Sequence, residues 1–240
     1  MTQKHRQGFT LIELMIAMAF VSVLLLAIAF TAIQAGRMYN RGMILRSVNQ
    51  SGRDVSDMLR RDFLQSNRDQ IVDVGGNIVI TVNDGPAQSG RFCLGRYSYL
   101  WNSADTIDNP AAVSSNPAVV YDDNGQPINF VRVIDENGSL CRQVDGKYPN
   151  ILSDPTRVTQ ILKTQSDQSD VVIAVHGVAI GLITDPADPE GLYSIRLTLG
   201  TSKQSEINTA DQTCKPPSDS LANLDFCAIN KFEMIVRTNG

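Results

Sequence analysis

Glu13 has the setting that most strongly indicates a chemical role, because it lies inside an apolar run, four residues after Phe9. An unpaired carboxylate at bilayer depth costs about 3 kcal/mol, so an ionisable group there indicates function. A cut after Gly8 would create an α-amino group at Phe9, one helical turn from Glu13. We expect that cation to neutralise the Glu13 carboxylate, within one subunit or between neighbours.

The cysteines are Cys93, Cys141, Cys214 and Cys227, and none belongs to a CxxC pair, which argues against a zinc ribbon or a redox motif. In an oxidising compartment an even count favours two structural disulfides. Three pairings are possible. The shorter closures, Cys93–Cys141 and Cys214–Cys227, cost the least chain entropy.

The other candidate groups have ordinary structural interpretations. His5 lies in the N-terminal tail, and His176 lies in the apolar run 171–183, where we predict a strand histidine. The run Asp122–Asn124 lacks the ligand spacing of a calcium loop and is better explained as a hairpin turn. With no nucleophile elbow, phosphate loop or zinc spacing, we predict no catalytic residue, no cofactor and no metal, and therefore not an enzyme.

A row of arginines, Arg46, Arg53 and Arg60, recurs with a seven-residue period. Such a row could contact DNA or an acidic neighbour. Aspartates are interleaved with it, which favours a solvated helix face. The formal net charge of −4 also argues against broad nucleic-acid binding and leaves a local contact as the alternative.

The N-terminal region supplies a membrane anchor. Residues 14–33 carry no charge, and twenty helical residues rise about 30 Å, the thickness of the hydrocarbon core. The run is too long for a secretory signal peptide, and its small residue, Gly8, precedes it. Lys4 and Arg6 favour a cytoplasmic N-terminus, so the body is predicted to lie outside the cytoplasm.

The helix is predicted to continue from Phe9 to about Gln70, with residues 9–33 in the membrane and 34–70 beyond it. No proline occurs before Pro86. A stripe at helical spacing (Ile44, Val48, Val55, Leu59 and Phe63, with Ser51 and Gly52 in the missing turn) is predicted to pack on a head domain.

Residues 71–240 are predicted to form this head, with short strands between turns. Strands are expected at 77–82, 171–183, 193–199 and 231–237, and a three-stranded meander at 118–121, 128–134 and 140–144. Surface loops are expected at 100–117, 185–190 and 201–223, with Trp101 as a core anchor. The fold class is therefore α+β, a long helix on an antiparallel sheet.

The segment from Gly8 to Leu14, GFTLIEL, followed by about twenty apolar residues, resembles the class III signal of type IV pilins and type II secretion pseudopilins. The resemblance implies a leader, residues 1–8, that a prepilin peptidase removes after Gly8, and N-methylation of Phe9. It implies that Glu13 docks subunits into a helical bundle, and that an ATPase and a platform protein drive this assembly. A C-terminal disulfide loop is also familiar in pilin heads.

Residues 50–63 and 232–239 are similar to PilW- and PulJ-type minor pilins, which the length of 240 residues also suits. This implies a minor pilin at or near the tip, in initiation of assembly or adhesion. It would begin as a single-pass protein of the cytoplasmic membrane and end in a surface fibre. The alternatives are a type II secretion pseudopilin, a DNA-uptake component, or a membrane-tethered binding domain.

Overall fold

The computed structural model describes residues 10–113, 115–163, 171–184, 190–208, 210–223 and 225–239. Gly8 and Phe9 lie outside the described residues, as do residues 185–189 of one predicted loop. The architecture is the predicted α+β arrangement of a long N-terminal helix packed against antiparallel sheets.

The first helix, α1, is continuous over Leu11–Gln65, which gives a rod about 83 Å long. It ends earlier than the predicted Gln70, at the C-cap residue Ser66. The Ser66 hydroxyl donates to the Asp62 carbonyl oxygen at 2.7 Å, a local bond that competes with helix continuation. Residues Arg68–Gln70 form a separate 3₁₀ turn.

The head contains two main sheets, both antiparallel. The larger sheet has five strands in sequence order, namely β1 Ile80–Asp84, β2 Ala87–Leu94, β3 Tyr97–Asn102, β4 Phe130–Ile134 and β5 Val158–Leu162. The smaller sheet contains β6 Ile173–Leu182, β7 Leu192–Thr201 and β10 Ile229–Arg237, with β7 in the centre. Short strands β8 Ile207–Asn208 and β9 Thr213–Cys214 pair with each other, and α2 Ala104–Asp108 follows β3.

The core lies between the second half of α1 and the facing sides of these sheets. In β7, Tyr193, Ile195, Leu197 and Leu199 are all buried, as their alternation predicts. Phe63 of α1 contacts the ring of Tyr193. β6 has a bulge between Val175 and Gly177, where its register with β7 shifts.

The predicted three-stranded meander is wrong. Residues 118–121 form only isolated bridges, and residues 139–141 form a 3₁₀ turn. The Asn102 side chain bonds the Val120 N–H and the Ile128 carbonyl oxygen, at 2.9 and 2.7 Å, which are the two groups that would pair with each other in such a ladder. β4 pairs instead with β3 and β5.

Two stretches that were predicted as loops contain regular secondary structure. The stretch 100–117 begins inside β3, where Trp101 is buried as predicted, and continues into α2. The stretch 201–223 contains the β8–β9 ladder. In the first stretch, the buried Thr106 bonds backbone groups of Gln88 instead of facing solvent.

A covering layer, residues 103–113, 115–129 and 135–157, packs on the outer face of the larger sheet and has its own apolar clusters. The fully buried Arg91 fastens it, because its Nη1 donates to the carbonyl oxygens of Leu140 and Pro149 at 2.9 and 2.7 Å. Burial lowers the pKa of Arg91 to about 10, with the nearby Tyr148 acting in the opposite direction.

The structure joins Cys93 to Cys141 and Cys214 to Cys227. The turn that carries Cys141 is organised by Asp135, which accepts hydrogen bonds from the Leu140 N–H and the Ser98 hydroxyl at 2.9 and 2.7 Å. Burial alone would raise the pKa of Asp135, but these bonds and those from Ser139 outweigh burial and lower it.

Candidate assembly site on the N-terminal helix

Glu13 and Thr10 form a capping box at the start of α1. The Thr10 side-chain oxygen accepts from the Glu13 N–H at 3.3 Å, and Glu13 Oε2 accepts from the Thr10 N–H and hydroxyl at 2.9 and 2.8 Å. The sequence reading missed Thr10, although Thr-x-x-Glu before an apolar run is the signature of this motif. Part of the function of Glu13 is therefore to start the helix.

The second carboxylate oxygen of Glu13, Oε1, is available to accept a hydrogen bond from a partner subunit. Both bonds from Thr10 go to Oε2, and Oε1 accepts no hydrogen bond from any residue that the structure describes. The side chain is solvent-exposed in the single chain. Glu13 can therefore keep its capping role and still accept from a cation on another subunit.

The first part of α1 presents an uncovered apolar surface. Every residue from 10 to 43 is exposed, including large side chains such as Phe20, Leu26 and Phe30. Within the described part of the chain, α1 is the one helix long and apolar enough to cross a membrane. Residues 14–33, which are uncharged and exposed on all sides of the helix, require a lipid or protein environment.

The second part of α1 packs on the head through the predicted stripe. Ile44, Val48, Val55, Leu59 and Phe63 are all buried, each contributing about 1.5–3 kcal/mol of apolar burial. Gly52 completes the stripe, because the ring of Phe232 on β10 occupies the space that a Cβ would need. Absence of a side chain at residue 52 lets β10 approach the helix closely.

A buried polar cluster fixes the helix on the larger sheet. Asp62 accepts from Arg132 in a two-bond arrangement, Nε to Oδ2 and Nη2 to Oδ1, both at 2.7 Å. The Tyr99 hydroxyl donates to the same carboxylate, and burial followed by the charge of Asp62 raises the pKa of Tyr99. Burial alone would lower the pKa of Arg132, but the hydrogen bonds to Asp62 outweigh burial and raise it.

Two further contacts hold the head to the helix nearer the apolar segment. Arg37 Nε lies 3.3 Å from Asp225 Oδ2, inside the Cys214–Cys227 loop. Asn230 of β10 donates to Asn49 Oδ1 at 2.6 Å. The C-terminal loop therefore reaches α1 four residues after the apolar run ends at Ile33.

The other sequence candidates occupy structural positions. Arg46, Arg53 and Arg60 are exposed, as a solvated face predicts, whereas the neighbouring Asp62 is buried in the cluster with Arg132. His176 lies in β6, its Nε2 is 2.9 Å from the Thr201 carbonyl oxygen, and burial lowers its pKa.

The predicted turn at Asp122–Asn124 is present. Asp122 Oδ1 accepts from the backbone N–H groups of Asn124 and Gln126 at 3.0 and 2.7 Å. These bonds give the side chain a turn-forming role.

Residues 3–31 match the family model of the prokaryotic N-terminal methylation motif. The match supports a type IV pilin-like family. It implies a precursor of a pilin or pseudopilin, processing by a prepilin peptidase and assembly with other pilin subunits. Together with the apolar helix it fits membrane anchoring. No curated protein and no solved structure matches the chain.

Proposed function

We propose that the chain is a minor pilin that enters a type IV pilus at or near its tip, where it initiates assembly or carries adhesion. The observation that carries this proposal is the division of one continuous helix, with residues 44–65 docked on the head and residues 10–43 uncovered. Such a subunit can sit in the membrane as a single chain. It can then exchange lipid for the helices of neighbouring subunits while its head stays intact.

The docking contact in this proposal is made by Glu13. After cleavage between Gly8 and Phe9 and methylation of Phe9, the new amino group is a cation at the helix start. Glu13 Oε2 is engaged with Thr10, so Oε1 is the oxygen that would accept from the Phe9 amino group of a neighbour. A desolvated pair of this kind sets register between helices more than it adds stability.

The head supports a specialised position over a repeating one. The covering layer adds a second surface on the face of the larger sheet opposite the one that packs with α1, and it is held by Arg91 and by the Cys93–Cys141 disulfide. Loops positioned by a rigid scaffold are the usual place for recognition. In a tip subunit that surface would face outward without a subunit above it.

The test is the position and abundance of the chain in fibres sheared from its own cells. We expect an antibody to the head to label fibre ends, with few copies per fibre, and deletion of the chain to reduce fibre number. Glu13→Gln should reduce incorporation into fibres, whereas Glu136→Gln, an exposed glutamate of the head, should not. Labelling along the whole fibre would make the chain a major subunit. Normal fibres with a secretion defect would favour a pseudopilin, and a loss of DNA uptake alone would favour an uptake component.

A further inference from the structure

A cavity of about 400 Å³ lies where the C-terminal disulfide loop meets the rest of the head. Its apolar walls include Ile107 of α2, Val172 before β6 and Phe226 of the loop. Its polar lining includes Asp108, Thr201 and Glu206. Neither Glu13 nor any residue of the stripe that docks the helix lines the cavity, so the assembly site does not account for it.

Glu206 is buried at this cavity with half of its carboxylate unpaired. The residue is 6% exposed, and its Oε1 accepts from the Asn223 amide at 3.1 Å. Its Oε2 has no hydrogen-bond partner among the described residues. The Glu206 backbone is held in place because its carbonyl oxygen accepts from the Lys215 N–H at 2.9 Å.

Two more buried oxygens near Glu206 are unpartnered. They are Thr201 Oγ1, which belongs to a cavity-lining residue, and Gln204 Oε1 in the 3₁₀ turn that ends at Glu206. A buried acceptor without a donor loses the free energy of a hydrogen bond, and an anionic one loses more. The region therefore has an excess of acceptors and a negative charge that a donor-rich cation would satisfy.

The shape and chemistry favour an organic cation over a metal ion. Within the described ranges, no three His, Cys, Asp or Glu side chains are grouped to hold a metal, and calcium takes six to eight oxygens. A primary ammonium offers three N–H donors and one positive charge. An apolar stem attached to it would pack against the walls formed by Ile107, Val172 and Phe226.

We propose that this cavity binds a ligand with one primary ammonium group on an apolar stem, with Glu206 as the charge partner. A lysine side chain of another polypeptide and a free small amine share this chemistry. Lys203 also lines the cavity, but its side chain is exposed and, within the described part of the chain, it forms no ion pair. The ligand would join the disulfide loop to α2 and the end of β7.

The test is titration calorimetry on the full chain in detergent micelles, with two matched probes. Nα-acetyl-lysine methylamide presents the ammonium, and its Nε-acetylated form has the same stem without the charge. We expect the charged probe to bind with a dissociation constant on the order of 1 mM and the neutral one at least about tenfold more weakly. n-Butylammonium distinguishes a free small amine from a lysine side chain as the ligand. If it binds more tightly than the lysine probe, the ligand is a small amine, and if it binds more weakly, the ligand is a polypeptide.

Glu206→Gln should weaken binding of the charged probe about tenfold or more, while Glu136→Gln removes an exposed charge and should leave it unchanged. Thr201→Val, which deletes an unpartnered hydroxyl, provides a second variant if Glu206→Gln does not fold, as judged by fluorescence of the buried Trp101. The proposal is overturned if neither charged probe binds, if binding survives in Glu206→Gln, or if calcium alone binds and displaces the probe. Binding that appears only in Lys203→Ala would also overturn it, because Lys203 would then be the resident cation.

Discussion

Removing either partner of the Asp62–Arg132 pair should destabilise the head, and the two losses should differ. The Asp62 side chain is 4% exposed and the Arg132 side chain is 21% exposed. Arg132→Met leaves a carboxylate that water cannot reach, which costs about 4 kcal/mol. Asp62→Asn leaves a guanidinium that can be partly hydrated and an amide that Tyr99 can still bond, so we expect a loss of about 2 kcal/mol.

The assay is urea unfolding of the full chain in mild micelles, followed by the fluorescence of Trp101, the only tryptophan, which is 6% exposed. With a slope of about 2 kcal/mol/M, Arg132→Met should lower the urea midpoint by about 2 M and Asp62→Asn by about 1 M. Because the residues contact each other, the double variant should lose about 2 kcal/mol less than the sum. Equal losses for the two single variants, or strict additivity, would refute the assignment of this pair as a buried anchor.

Three further perturbations test separate parts of the structure by the same unfolding assay. Gly52→Ala should lower the free energy of unfolding by about 1–3 kcal/mol, because the ring of Phe232 packed on that position must move. Gly42→Ala, whose new methyl group meets open space, should be neutral or stabilising. Equal effects of the two substitutions would contradict the close approach of β10. The lowered pKa of Asp135 means that its contribution is present above about pH 4 and is lost as the pH falls through its folded-state pKa. Asp135→Asn should remove that contribution and flatten the acid side of the stability profile, and an unchanged profile would count against the turn network. Replacing both Cys214 and Cys227 by serine removes their disulfide and should lower the free energy of unfolding by about 3 kcal/mol. An unchanged urea midpoint would mean that the loop does not depend on the bond.

Local periodicity made the helix and its interface predictable. The burial of Val48, Val55 and Leu59 follows from their spacing alone, as does the alternation in β7. These features depend on residues close in sequence, where the period of the element decides which side chains share a face.

Contacts between distant residues were not predictable from pattern. Asp62 looked like one of several exposed aspartates, and only the fold brings Arg132, seventy positions later, to its carboxylate. The strand β3 was not predicted, and its last residues were assigned to the loop 100–117. Asn102 resembles a loop residue, whereas its amide bonds a neighbouring segment inside the protein. Thr10 differs from these cases, since the capping-box spacing was available in the sequence.

The central claim is that this helix is the mature N-terminus of a pilin-type subunit, and intact mass with N-terminal sequencing tests it most directly. The protein should be purified from its own membranes and measured before and after reduction. We predict a chain that begins at N-methylated Phe9, lacks residues 1–8, and yields four thiols only after reduction. A chain that retains Met1 to Gly8, or one cut after the apolar segment, would contradict the claim.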